Sequence, residues 1–410
     1  MSRTANQSQA VILSGGGAYA AYEVGVMKAL FTGESPATGH TLLNPGVLTG
    51  TSAGAVNASI LASYPDADLC ALVRFLEDVW VNRVGSNSER CGNGVMRFRG
   101  DPLRFFDPRC LADNPLRALN EFTKDGLFLT QNFFQHAVRF LISSGSIENR
   151  ALQFIDVGAF VSSEPIRNML PGVVSLEGIR HSERKLRIVA TNWTKGEVRT
   201  FGNREMTDEL GFLIIQASAA IPGIFLPNTI EGDLYVDGGV LMNTPLNCAI
   251  DAGANELHVI YLDPDVQNIP VRRLESTIEV FERIITITSA TKVNEDIDTA
   301  RWINAGLDVV ERASRGGPLS DEDARAFIRV AGQIEKKIRA GTPYKKLTIH
   351  RYHPKDDLGG GALGLLNFDS DRIVGLIERG FNDALNHDCA ESHCVLPARQ
   401  ARGGRPPARG

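Results

Sequence analysis

The stretch Val47-Leu48-Thr49-Gly50-Thr51-Ser52-Ala53-Gly54-Ala55-Val56-Asn57-Ala58 decides the fold of this chain. A short apolar run leads into Gly-x-Ser-x-Gly, and a run of small residues typical of a helix follows it. This order of strand, sharp turn and helix is the context in which G-x-S-x-G forms a nucleophile elbow. Gly50 and Gly54 let the strand and the helix pass close together, and the turn points the Ser52 hydroxyl out of the sheet. Because the pattern also arises by chance, an ordinary turn of small residues is the alternative.

Length and composition are those of a globular protein with a substantial core. The chain has 410 residues, of which 43% are hydrophobic, and a net charge of -5. This charge argues against nucleic-acid binding. The polar N-terminus has no apolar segment typical of a signal peptide, and no apolar run reaches about 18 residues. We therefore expect no transmembrane segment and a cytoplasmic protein whose membrane contact, if any, is peripheral.

The six cysteines are scattered through the chain, which predicts reduced thiols rather than a disulfide framework. Four metal-binding side chains stand close together near the C-terminus, namely His387, Cys389, His393 and Cys394. Their spacing fits no familiar ligand pattern, and the segment is polar and terminal. The sequence interpretation is therefore no metal and no cofactor.

A second strand–loop–helix unit lies near the N-terminus. Ala10–Leu13 is a short apolar run typical of a buried strand, Ser14-Gly15-Gly16-Gly17 follows it, and residues 18–31 have the spacing of a helix. Backbone N–H groups of such a loop can approach a negatively charged oxygen, and the helix dipole adds to the attraction. The unit therefore predicts an anion-binding site.

The same loop matches one form of the dinucleotide-binding fingerprint, G-x-G-x-x-A, at Gly15, Gly17 and Ala20. That fold requires an acidic residue at the end of the next strand. The next predicted strand, residues 47–49, runs into Ser52 instead. We therefore favour an oxyanion site over a nucleotide site.

Strands and helices alternate along the chain, which indicates an α/β fold with helices on both faces of a sheet. The predicted parts are a polar N-terminal extension (1–8), a catalytic domain (9–263) that holds a loop-rich insertion (85–150), a mostly helical C-terminal part (264–385) and a disordered tail (386–410).

Two of these parts suggest contact with lipid. The insertion contains Phe105-Phe106 and Phe133-Phe134, which either line an apolar channel under a lid or pack the segment onto the core. Residues 399–409 of the tail contain four arginines among Gly, Pro and Ala, which either visit an anionic membrane or form an inert extension.

A serine hydroxyl needs a base to become a nucleophile, and the sequence offers an aspartate. None of the eight histidines stands in a convincing motif. Asp237 ends the predicted strand 234–236 and is followed by Gly238 and Gly239, and active-site groups of open α/β sheets lie at strand C-termini. Burial would raise the pKa of this carboxyl and suit it for proton abstraction. The alternative role for Asp237 is to cap a turn with its side chain.

A serine nucleophile also requires donors for the oxyanion that develops during its attack, and the glycine loop can supply them. The predicted donors are the backbone N–H groups of Gly15, Gly16 and Gly17, together with that of Ala53. Nucleophile, base and oxyanion hole would then each stand at a strand-to-loop junction.

These three motifs resemble those of the patatin-like phospholipases. The family carries a glycine-rich loop near the N-terminus, then G-x-S-x-G, and much later D-G-[AG]. The counterparts here are residues 14–17, residues 50–54 and Asp237-Gly238-Gly239, and the resemblance covers roughly residues 9–263. It implies a Ser-Asp dyad with Ser52 as nucleophile and Asp237 as base, in a three-layer α/β/α fold without a metal.

The glycine loop departs from the family pattern at two positions. Members commonly carry a basic residue and then glycine, whereas this chain has Tyr19 and Ala20. The missing charge either weakens oxyanion stabilisation or changes the preference for phosphate headgroups. We expect a hydrolase of phospholipid or lysophospholipid acyl esters. The alternatives are an acyltransferase or thioesterase with the same acyl-enzyme, and a non-catalytic lipid-binding protein.

Overall fold

The computed structural model describes residues 6–85, 164–262, 277–314, 320–326, 345–359 and 361–396, with isolated positions between 112 and 123. The paired phenylalanines of the insertion, at 105–106 and 133–134, lie outside these residues, and so do the arginines after residue 396. The lid and the basic arm therefore stay predictions.

Within the described residues, eight strands form one mixed sheet. They are β1 (Asn6–Leu13), β2 (Pro45–Thr51), β3 (Lys185–Asn192), β4 (Glu197–Gly202), β5 (Asn228–Ile230), β6 (Asp233–Asp237), β7 (Glu256–Ile260) and β8 (Thr348–Tyr352). Their order is β5-β6-β3-β2-β1-β7-β8, and β4 pairs with β3. The pairs from β3 through β2, β1 and β7 to β8 are parallel, whereas β4, β5 and β6 pair antiparallel. The carboxyl ends of the five parallel strands therefore share one edge of the sheet.

Helices cover both faces of this sheet. They are α1 (Ala21–Thr32), α2 (Ala53–Ala62), α3 (Leu69–Val79), α4 (Glu164–Met169), α5 (Leu176–His181), α6 (Gly211–Ser218), α7 (Leu246–Asp251), α8 (Thr277–Ser314) and α9 (Ser370–Leu385). Side chains of β1 alternate between the faces. Val11 and Leu13 join the larger hydrophobic cluster, whereas Ala10 and Ile12 join the smaller one. This confirms the predicted α/β/α layering.

The C-terminal helix α9 completes the core rather than forming a separate layer. It packs directly on α1, and the contact is so close that a Cβ at Gly25 would lie 1.9 Å from the carbonyl oxygen of Ile377. A Cβ at Gly380 would lie 2.0 Å from the carbonyl oxygen of Tyr22. Glycine at both positions lets the two backbones approach, so α9 is fixed against the helix that follows the glycine loop.

Two predicted boundaries are wrong. Strand β1 begins at Asn6, inside the extension predicted for residues 1–8, because the polar residues 6–9 add to an existing ladder. At the other end, Val395 is buried and exchanges hydrogen bonds of 2.8 and 2.9 Å with Ile349 of β8. Residues 386–396 are therefore packed on the sheet edge and are not part of a tail. Apolar periodicity does not reveal this kind of ordering, because backbone pairing rather than a buried face supplies it.

Among the described residues, no helix is both long enough and apolar enough to cross a membrane.

Candidate active site

Ser52 lies at a strained turn between β2 and α2. Its φ of 55° and ψ of -126° are a conformation that costs a residue with a side chain about 1–3 kcal/mol. The flanking glycines make the turn sterically feasible. A Cβ at Gly50 would lie 2.3 Å from the carbonyl oxygen of Gly54, and one at Gly54 would lie 2.7 Å from that of Leu13. The G-x-S-x-G segment therefore has the strand–turn–helix geometry of an elbow.

The buried side chain of Ser218 holds this turn in place. Its hydroxyl accepts a hydrogen bond of 3.0 Å from the N–H of Ser52 and donates one of 2.6 Å to the carbonyl of Val189. Ser218 thereby links the elbow to β3 and satisfies a buried N–H that the strained turn leaves outside the ladder. The sequence signal for Ser218 is limited to its place in a small-residue run, residues 217–220.

The register of the sheet brings Asp237 to Ser52. Val189 of β3 pairs with Thr51, and the next residue, Ala190, pairs with Asp237 at the end of β6. Ser52 is 4% exposed and Asp237 is 5% exposed. One carboxylate oxygen of Asp237 accepts a hydrogen bond of 2.7 Å from the N–H of Gly239. Asp237 therefore caps the turn at Gly238-Gly239 and also faces the serine, so the two roles considered for it are compatible.

Burial raises the pKa of Asp237 from 3.8 to about 6. Hydrogen bonds from the Ser52 hydroxyl and the Gly239 N–H stabilise the carboxylate and limit the rise. A carboxyl with this pKa is ionised at neutral pH, yet it is a better proton acceptor than a solvated aspartate.

The raised pKa of Asp237 has a consequence for stability. Because the folded pKa is above the unfolded one, the folded state is favoured when the Asp237 carboxyl is protonated. This contribution to stability is complete below pH 3.8 and is lost as the pH rises through about 6. Asp237→Asn removes the buried charge, so we expect it to increase the free energy of unfolding at pH 7.5 by up to about 3 kcal/mol. Urea denaturation at pH 7.5 and pH 4.5 measures this. The gain should shrink at the lower pH, and a variant less stable than wild type at pH 7.5 would contradict the assignment.

The glycine loop lies against Ser52. A Cβ at Gly15 would lie 3.0 Å from the Cβ of Ser52 and 2.5 Å from Oδ1 of Asn243. The side-chain amide of Asn243 in turn donates a hydrogen bond of 3.1 Å to the carbonyl of Gly15. This packing, which only a glycine permits, brings the loop backbone next to the serine.

The structure corrects one predicted oxyanion donor. The N–H of Gly15 donates a hydrogen bond of 3.2 Å to the carbonyl of Asn243, so in this conformation it is not available to an oxyanion. Within the described residues, no hydrogen bond engages the N–H groups of Gly16, Gly17 or Ala53. These three remain the candidate donors, and the last belongs to the N-terminus of α2, where the helix dipole favours negative charge.

Tyr19, the position that departs from the family pattern, anchors the glycine loop to the C-terminal part of the chain. Its hydroxyl donates a hydrogen bond of 3.0 Å to the carbonyl of Gly359, and the guanidinium of Arg372 lies 5.4 Å from the centre of its ring. A Cβ at Gly17 would lie 2.2 Å from the carbonyl oxygen of Leu365. Gly359, Leu365 and Arg372 therefore hold the loop, and Arg372 brings a positive charge that the sequence of the loop lacks.

The glycine loop, the elbow and Asp237 all lie in the part of the chain that a protein-family model matches. The family model for patatin-like phospholipases matches residues 11–250, more than half of the chain. The chain belongs to the patatin-like phospholipase family. Ser52 and Asp237 both lie inside the matched range. Among solved structures, this patatin-like chain is similar to VipD from Legionella pneumophila at 17% identity and a TM-score of 0.37, over 95% of this chain and 68% of VipD.

Membership places the protein among the lipases and esterases and indicates a lipid acyl hydrolase with a lipid substrate.

Proposed function

We propose that this patatin-like protein hydrolyses fatty-acyl esters of phospholipids or lysophospholipids through an acyl-enzyme on Ser52. The observation that carries the proposal is the pairing of Ser52 on a strained elbow with Asp237, a buried carboxylate whose pKa is raised to about 6. No histidine is needed as the base, because this aspartate faces the serine directly and accepts its proton.

The first half of the reaction forms the acyl-enzyme. Asp237 accepts the proton of the Ser52 hydroxyl as the serine oxygen attacks the ester carbonyl carbon. The N–H groups of Gly16, Gly17 and Ala53 stabilise the negative charge on the carbonyl oxygen. When the tetrahedral intermediate collapses, the bond to the alcohol oxygen breaks and the protonated Asp237 returns the proton to that oxygen.

The second half releases the fatty acid. Asp237 accepts a proton from a water molecule, whose oxygen attacks the acyl carbon. Collapse of the second intermediate breaks the bond to the Ser52 oxygen, which takes the proton from Asp237. An alcohol or thiol in place of water would make the same site a transferase, and a thioester in place of the ester would make it a thioesterase.

A lipid panel with a mass-spectrometric readout tests this proposal. The full-length protein is incubated in ¹⁸O-labelled water with phospholipid, lysophospholipid, triacylglycerol and acyl thioester, and Ser52→Ala serves as the matched control. We expect free fatty acid carrying one ¹⁸O atom from a phospholipid or lysophospholipid, and none from the variant. Acylated alcohols without ¹⁸O-labelled fatty acid would favour the transferase. A folded wild-type protein that releases nothing would favour a lipid-binding role.

The pH dependence of turnover tests the assigned base. Below the pKa of Asp237, about 6, the carboxyl is protonated and cannot accept the serine proton. We therefore expect log kcat/KM on a non-ionising ester to fall by about one unit per pH unit below 6 and to be flat from pH 7 to 8. Circular dichroism at each pH controls for unfolding. Turnover that stays constant from pH 7 down to pH 5 would exclude Asp237 as the base.

A further inference from the structure

A cluster of two histidines and two cysteines lies at the edge strand β8, outside the active site. Its members are His350, His387, Cys389 and Cys394, and their ligand atoms all lie within 4.8 Å of one another. His350 belongs to β8, whereas the other three stand in the turn that follows α9. We propose that these four side chains bind a zinc ion that ties the C-terminal segment, residues 386–396, to the sheet.

The distances within the cluster fit a tetrahedral zinc ion. Nδ1 of His350 lies 3.4 Å from Sγ of Cys389, and Nε2 of His387 lies 3.5 Å from the same sulfur and 3.4 Å from Sγ of Cys394. A tetrahedron with Zn–N bonds of about 2.1 Å and Zn–S bonds of about 2.3 Å has N···S edges of about 3.6 Å. Three of the distances between ligand atoms are therefore already close to those of a tetrahedral zinc site.

The surroundings orient these ligands. The other ring nitrogen of His387, Nδ1, lies 3.5 Å from the hydroxyl of Ser392, which fixes the ring with Nε2 toward the sulfurs. The backbone N–H of Arg351 donates a hydrogen bond of 3.3 Å to Sγ of Cys394, a contact that stabilises a thiolate. Both histidines are buried. Within the described residues, no carboxylate belongs to the cluster, and two imidazoles with two thiolates suit zinc rather than magnesium or calcium.

The donor set indicates a structural ion rather than a catalytic one. Four protein ligands close the coordination shell and leave no position for water or substrate. Strands β7 and β1 lie between β8 and β2. With neighbouring strands about 4.8 Å apart, the distance from β8 to β2 across the sheet is roughly 14 Å. The ion therefore lies away from Ser52 and acts through the fold. It fixes the segment whose Val395 pairs with Ile349 and so covers the open edge of the sheet.

Metal analysis of the full-length protein tests this inference. Protein from zinc-supplemented medium is dialysed against metal-free buffer, and its metal content is measured by plasma mass spectrometry. We expect one zinc per chain in wild type and less than one tenth of that in His350→Asn. The matched control is His393→Asn, because His393 stands in the same turn, lies outside the cluster and has a φ of 52° that asparagine tolerates. It should keep the zinc.

A second measurement uses only the wild-type protein and therefore does not depend on whether the variants fold. Wild-type protein is stripped by a chelator under reducing conditions and titrated with Co²⁺. We expect one equivalent to give the intense visible bands and the thiolate charge-transfer band of a tetrahedral cobalt site, and zinc to displace them. Chelation should also lower the thermal midpoint. Wild type without bound zinc and without this cobalt spectrum overturns the proposal. So does a Cys389–Cys394 disulfide whose reduction creates no metal binding, or equal zinc in His350→Asn and wild type.

Discussion

Replacing Ser52 by alanine or Asp237 by asparagine is expected to lower ester turnover by about 10⁴-fold or more in each case. The reason is that the serine is not nucleophilic without the base, and the base has no attacking oxygen without the serine. The double variant should therefore be about as slow as either single variant. Steady-state hydrolysis of a short soluble ester measures all three.

Matched controls lie close to each substitution. Ser59→Ala removes another buried hydroxyl from α2, one that donates to the carbonyl of Ala55. Asp233→Asn removes another carboxylate from β6, one that pairs with Lys195. Both should retain turnover within a few-fold. A double variant much slower than both single variants would mean that the two residues act separately, and wild-type turnover in Asp237→Asn would require a different base.

Gly15→Ala is expected to reduce kcat by about 10²-fold while the protein stays folded. The added Cβ would lie 2.5 Å from Oδ1 of Asn243 and 3.0 Å from the Cβ of Ser52. Either the asparagine or the loop must move, and the loop carries the candidate oxyanion donors Gly16 and Gly17. Because those donors act in the transition state, kcat should fall more than KM rises.

The control for this prediction is Gly375→Ala. Gly375 stands on the exposed side of α9, and a Cβ there would meet nothing within 4 Å. This change should leave turnover unaltered and raise stability slightly, because alanine favours a helix. If Gly15→Ala has wild-type kcat, the loop does not support the oxyanion in the way proposed.

Much of the architecture could be predicted because it depends on local patterns. Short apolar runs followed by glycine or serine predict buried strands that end at one edge of a sheet, which places Ser52 and the glycine loop in the same region. Asp237 does not follow from this rule, because it ends β6, which runs antiparallel to β3. The alternation of strands and helices likewise predicts the layers. What local patterns cannot supply is the register, and the pairing of Ala190 with Asp237 is what brings acid and serine together.

The supporting residues of the site were not predictable, since each acts across a large sequence separation. Ser218 holds the elbow from 166 residues away, and Asn243 bonds to Gly15 from 228 residues away. Arg372 of α9 lies over the ring of Tyr19, which follows the glycine loop. None of these pairs leaves a spacing signal in the sequence.

The metal-binding cluster shows the same limit. Judged within one segment, His387, Cys389, His393 and Cys394 have no familiar ligand spacing, and that argued against a metal. In the structure, the fourth member of the cluster is not His393 but His350, which belongs to β8 and lies outside the segment. A search confined to neighbouring residues could not find this fourth ligand.

The most direct test of the central claim, that Ser52 carries the acyl group, is to map the adduct of a fluorophosphonate probe. The full-length protein is incubated with the probe at pH 7.5, and intact mass and peptide mass spectrometry locate the modification. We predict one adduct per chain, on Ser52, with turnover lost in proportion and with labelling abolished in Asp237→Asn. A folded protein that stays unlabelled, or one that loses turnover through an adduct on another residue, would contradict the account.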